Sequence, residues 1–236
     1  MRSRTLPEIR RALHDFLCIA LPKIAGGALV FGLNLVLLSY FGVEQYGVYG
    51  LCMAGILLAD AVLGGAFDLA VLRFGQASTA ADARDDSTAI ERAALRLKLG
   101  AAAALGIALI AFSWWSSSSH DAWHLVALSC LVVLAMLALR SVLVHLQLRQ
   151  RFIVYGAIDL LHIGAKFGAI AILLAVTSPG VPWLLILLAT GPLMAALVGA
   201  GIAGRHLFDL QAVPWRRYRD LLDLTKWYLA TVALGA

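Results

Sequence analysis

All but two of the nineteen Lys and Arg residues in this chain fall in four short stretches, residues 2–11, 73–98, 140–151 and 205–226. Between consecutive stretches lie two apolar runs joined by a turn that carries no positive charge. Lys and Arg close to membrane-spanning ends are retained on the cytoplasmic side. Each pair of runs is therefore expected to form a helical hairpin that leaves the cytoplasm and returns to it. The turns at 42–47, 116–121 and 177–182 then face outward, and the N-terminus is cytoplasmic.

Composition agrees with this reading. The chain is 61% hydrophobic and 14% charged, with a mean hydropathy of +0.86, far from the soluble average of roughly half apolar and a quarter charged. A water-soluble core is excluded. The net charge of +5 sits beside the ends of the apolar runs and forms no basic patch interleaved with aromatics, so it argues for topology and anionic membrane lipids rather than a nucleic-acid partner. Cys18, Cys52 and Cys130 lie singly inside apolar runs, without C-x-x-C spacing, and read as small packing residues. Arg2, Arg4, Arg10 and Arg11 before an apolar run imitate a secretory signal, but the run is too long and lacks a small-residue cleavage site. It is expected to be a retained first span.

A spanning helix needs about 20 apolar residues, because the hydrocarbon core is about 30 Å thick and a helix rises about 1.5 Å per residue. Six runs qualify: residues 16–40, 48–72, 97–115, 122–139, 152–176 and 181–203. None alternates as a barrel strand would, and a lipid-exposed backbone must satisfy its own hydrogen bonds, so an all-α polytopic membrane protein is expected. Tyr40, Tyr46, Tyr49, Trp114, Trp115, Trp123 and Trp183 mark the outer rim, and Trp215, Tyr218 and Trp227 the inner one, as interfacial aromatics should. Pro179, Gly180 and Pro182 make the third outer turn. Thr88 with Glu91 has the spacing of a capping box leading into the third span.

The expected layout is a cytoplasmic segment over 1–15, a six-helix lobe over 16–203, a basic cytoplasmic linker over 204–220, and the start of a seventh transmembrane helix over 221–236. From Trp227 that last helix has about 15 Å of rise. The expectation is a truncated form of a longer protein.

The first outer turn reads Phe41-Gly42-Val43-Glu44-Gln45-Tyr46-Gly47. With Gly64, Gly65, Phe67 and Arg73 at the inner end of the second run, the basic Arg149-Gln150-Arg151 turn, and an entry to a seventh span at 221–227, it resembles the N-terminal half of polysaccharide and oligosaccharide flippases of the O-antigen type. These belong to the MOP superfamily, which also holds the MATE multidrug transporters. The resemblance over spans three to six is one of layout. It implies one lobe of a MATE-like transporter, alternating inward and outward access around a central cavity.

Ionisable residues inside spans are functional candidates by default. Lys23 and Lys166 are the two cations outside the topological pattern, and Asp60, Asp68, Asp159 and His162 also lie within or near spans. Lys23 and Asp68 are close enough to an inner end for snorkelling or interfacial hydration. Asp60 and Lys166 lie deeper and need a partner or a wet cavity. Asp159, His162 and Lys166, at i, i+3 and i+7, share one face of span five. One expectation is that this face lines the cavity, with Lys166 and Lys23 attracting the pyrophosphate of a lipid-linked sugar and Asp60, Asp159 or His162 exchanging protons. The alternative is an interhelical ion pair, such as Asp60 with Lys166, that only fixes packing. Asn34 reads as a cross-helix hydrogen-bonding residue, and Gly164 with Gly168 as a close helix contact. His120 and His124 have the spacing of a metal pair but lack a third ligand, so no metal site is assigned.

No nucleophile elbow, H-E-x-x-H helix, Walker loop or dinucleotide fingerprint is present. Neither an enzyme nor a cofactor is expected. The reading the residues and the resemblance support is a flippase lobe in a bacterial inner membrane, carrying lipid-linked oligosaccharide among membrane lipids and alongside glycan-assembly proteins. A MATE-like cation-coupled drug antiporter and a non-transporting scaffold of a glycan-assembly complex are the alternatives.

Overall fold

The computed structural model describes residues 6–77, 83–116, 122–177, 179–204 and 213–233. All regular structure among them is helical: α1 (Leu6–Ala59), a π-helical segment (Asp60–Gly65), α2 (Ala66–Ala77), α3 (Ala83–Ser116), α4 (Ala122–Leu148), α5 (Phe152–Val176), α6 (Val181–Ala203) and α7 (Trp215–Ala233). Among the described residues, five helical runs are long and apolar enough to cross a membrane: Leu13–Gly75, Ser87–Trp115, Trp123–Leu148, Phe152–Val176 and Val181–Ala203. The chain is an all-α, multi-pass membrane protein.

The first of these runs, 63 residues long, contains both of the first two apolar runs of the sequence, and it is not straight. Gly42 has φ 70° and ψ 178°, a backbone region that is essentially glycine's alone. Across it, the Tyr46 hydroxyl donates to Asn34 Oδ1 at 3.4 Å. In an uninterrupted helix twelve residues would separate the two along the axis by about 18 Å, so α1 doubles back at Gly42 into two limbs. Asn34 thus bonds across a helix pair, as its polarity within an apolar run suggests.

α4 is the central helix and packs against α1, the π segment, α2, α3, α5 and α6. Its apolar side chains Val132, Leu137, Val142 and Leu146 are almost wholly buried. Glycines set the closest approaches. A side chain at Gly156 of α5 would place its Cβ 2.6 Å from the Cys18 carbonyl oxygen of α1. That carbonyl lies four residues before Pro22, whose nitrogen has no proton to give it. At Gly191 of α6 an added Cβ would sit 2.6 Å from the His162 carbonyl oxygen and 2.7 Å from Lys166 Cβ.

Two expectations about contacts are corrected. Gly164 and Gly168 have nothing within 4 Å of an added Cβ and lie exposed. The α5 face that meets α6 carries His162 and Lys166, about 140–180° around the helix from these glycines. Thr88 and Glu91 form no capping box, because α3 begins at Ala83. Thr88 instead accepts a hydrogen bond from Arg149 at 3.3 Å, and Glu91 turns inward.

The last helix starts at Trp215 rather than Leu221, so part of the expected linker is helical. It packs on α2 and α3. Leu221 and Thr225 are buried, and Leu221 belongs to one apolar cluster with Ala70, Val71, Ala93 and Ala94, while Arg216, Arg219 and Lys226 stay exposed.

Candidate functional site: a charged cavity inside the helix bundle

Where the second limb of α1 ends, hydrogen bonding switches to the wider π pattern at Asp60, and such segments recur at functional sites. Asp60 faces α4. Arg140 donates through Nη1 to Asp60 Oδ2 at 3.1 Å and to the Asp60 carbonyl oxygen at 3.1 Å, and its Nε lies 3.4 Å from Asp68 Oδ2. One guanidinium therefore bridges two carboxylates eight residues apart in sequence. A Cβ at Gly64 would come within 2.6 Å of Arg140 Nη1, so the glycine is what lets the fork approach the π segment. Asp68 also pairs with Lys98 of α3, whose residue is 1% exposed. Lys98 Nζ lies 3.5 Å from Ser141 Oγ, and the Ser141 hydroxyl donates to the Leu137 carbonyl oxygen at 2.9 Å. A planar fork satisfies two carboxylates with directional bonds, whereas an ammonium serves as a compact point charge.

This network forms one wall of a cavity of about 530 Å³ whose lining includes Lys23, Asp60, Asp68, Arg140, Asp159 and His162. That volume lies within the range of small-molecule sites, about 300–1,000 Å³. Five of the sequence candidates, Lys23, Asp60, Asp68, Asp159 and His162, thus share one space. Lys23 is exposed and Asp159 half-buried, and Asp159 makes no ion pair within 4.0 Å among the described residues. His162 Nδ1 and Asp60 Oδ1 are buried without a hydrogen-bond partner. Lys166 is not in that lining. Its Cβ lies at the α5–α6 crossing beside Gly191, and its ammonium stands 4.9 Å from the Phe167 ring centroid. The suggested Asp60–Lys166 ion pair does not form. Arg140 takes that place because α4, not α5, carries the cation that faces the π segment.

Arg140 and Lys98 escape the sequence reading because both belong to basic stretches assigned to the cytoplasmic boundary. The signal that distinguishes Arg140 is the apolar continuation Val142-Leu143-Val144 with Leu146 and Leu148 beyond it, which keeps α4 helical to Leu148. Two turns of packed helix thus lie between Arg140 and that end. A second buried pair, His145 Nδ1 to Glu91 Oε2 at 2.5 Å, ties α4 to α3, with side chains 6% and 4% exposed.

Of the remaining candidates, His124 lies against the neighbouring Trp123 ring at 3.6 Å between centroids, and His120 lies outside the described residues. No group of three His, Cys, Asp or Glu side chains arranged to hold a metal occurs among the described residues. No known protein family, curated protein or solved structure matches the chain.

Proposed function

We propose that this chain is a lobe of a membrane flippase that moves a lipid-linked oligosaccharide from the cytoplasmic to the outer leaflet by alternating access. The supporting observation is the charged, half-open cavity between otherwise apolar helices, with Lys23 and Arg140 on its wall. Charge at membrane depth is expensive and marks substrate or ion pathways. Two cations of different geometry beside a space of that size suit a pyrophosphate group, and the polar wall shields sugar hydroxyls from lipid. In this reading the two limbs of α1 count as separate passes and make six with α3 to α6. The basic stretches face the cytoplasm of a bacterial inner membrane. The outer-turn motif around Gly42 and Tyr46 supports membership of the MOP flippases.

The test is flipping of a fluorescent polyprenyl-pyrophosphate oligosaccharide in proteoliposomes containing the chain. Lys23→Ala and Arg140→Gln are expected to abolish flipping at normal protein levels. Wild-type rates in both variants would defeat the reading, and a wild-type rate in Lys166→Ala would remove Lys166 from substrate binding.

One observation favours a second reading. The lining includes three carboxylates, Asp60, Asp68 and Asp159, against two cations, Lys23 and Arg140, a balance that suits a cationic cargo or a coupling proton, as in a MATE-like antiporter. Proton-coupled efflux of a cationic dye, with no flipping of the lipid-linked sugar, would select it.

A further inference from the structure

Asp60 lines the charged cavity, while its neighbour Ala59 and the next turn's Leu63 line a second one of about 310 Å³ between the second limb of α1, α3 and α4. This second space is chemically the opposite of the first. Its wall is apolar except for the Ser129 hydroxyl and the thiols of Cys52 and Cys130. It reaches the helix backbone, because a Cβ added at Gly55 meets nothing within 4 Å. Its rim is exposed and apolar: Leu51 is 77% exposed, Leu105 46% and Leu109 44%. The mouth therefore opens onto the lateral surface that these membrane-length helices turn toward lipid.

The slot follows the helix axes. From Leu51 to Leu63 it extends about 18 Å, close to the thickness of one leaflet's hydrocarbon, about half of 30 Å. Above it, at the ends of α3 and α4, the Trp114 and Trp123 rings stand 6.1 Å apart, and tryptophan prefers the membrane interface. Water is a poor occupant, since a buried water needs about two to four polar partners and the slot offers one hydroxyl beside two weakly bonding thiols. Left empty, the walls would forfeit dispersion contacts.

We propose that this slot binds one acyl chain of a membrane phospholipid, taken from the leaflet on the Trp114 and Trp123 side. The site does not depend on the transport reading.

The test uses the full chain in phosphatidylcholine vesicles doped with a phosphatidylcholine that carries a diazirine in mid-chain, with crosslinked peptides mapped after illumination. Label is expected at Cys52, Ser129 and Cys130 above that at Leu197 of α6, which is 73% exposed and reports ordinary surrounding lipid. Gly55→Phe fills the slot, and its pocket label is expected to fall to the Leu197 level while label at Leu197 is unchanged. Gly55→Leu, a smaller filler, gives an intermediate loss and covers the case in which the phenylalanine variant does not fold. Pocket label no higher than at Leu197 in the wild type, as for a slot closed by side chains or filled by a second copy, overturns the proposal. So does pocket label that neither filler reduces.

Discussion

Arg140 grips Asp60 twice, through the carboxylate at 3.1 Å and through the backbone carbonyl at 3.1 Å. The carbonyl bond ties the guanidinium to the start of the π segment itself, so the same cation balances charge and anchors a departure from α-helical hydrogen bonding. Arg140→Ala leaves Asp60 without that partner and Asp68 with Lys98 alone. The expected cost is about 2–4 kcal/mol, below the figure for a fully buried pair because the guanidinium is partly exposed. It is read as a lowered thermal unfolding midpoint in detergent. The same substitution in an Asp60→Asn, Asp68→Asn background is expected to cost clearly less, and an equal cost would show that the charges are not coupled.

Lys98 is the more buried cation, and Asp68 is its carboxylate partner. Lys98→Met keeps the volume and strands Asp68 beside Arg140 only, which is expected to destabilise by about 3–5 kcal/mol. The double variant Lys98→Met, Asp68→Leu removes both charges and is expected to recover much of the loss, since an apolar pair of similar volume often matches a buried ion pair. A double variant no more stable than the single would assign the loss to packing.

Backbone conformation at the α1 turn gives an independent test. Gly42, at φ 70° and ψ 178°, cannot be replaced without strain although an added Cβ has open space. Gly42→Ala is expected to cost about 1–3 kcal/mol. Gly47, five residues on, is helical with the same open space, so Gly47→Ala is expected to be neutral or stabilising by up to about 1 kcal/mol. Equal effects at the two glycines, measured by thermal unfolding, would contradict the bend.

The all-helical fold was legible because a membrane run announces itself in one dimension, through length and hydropathy. The same holds for the deep charges Asp60 and Lys166, which stand out against apolar neighbours. Arg140 and Lys98 were hidden by the rule that exposed the topology: a cation near a span end counts as a boundary marker. Only the packed continuation of α4 and α3 shows them to be interior. Glu91 and His145 were hidden for the related reason that their pairing joins two helices, and no spacing within one helix reveals it. Periodicity also established that Asp159, His162 and Lys166 share a face, yet it could not say that the cavity takes the first two and α6 the third.

The crossing of α5 and α6 decides the last prediction, because Gly191 lies in that crossing and Gly164, on the opposite face of α5, does not. At Gly191 a Cβ would meet the backbone oxygen of His162 at 2.6 Å, and a backbone atom cannot turn aside as a side chain can. Gly191→Ala must therefore push the helices apart, with an expected cost of about 1–3 kcal/mol or more. Separation at this level also shifts His162, which lines the cavity, so any transport activity should fall together with the unfolding midpoint. Gly164→Ala adds a Cβ to open space and removes a poor helix former, so the unfolding midpoint is expected to hold or rise slightly. If Gly164→Ala proved the more damaging, α5 would meet a neighbour through its glycine face, and the α5–α6 packing described by Gly191 would be wrong.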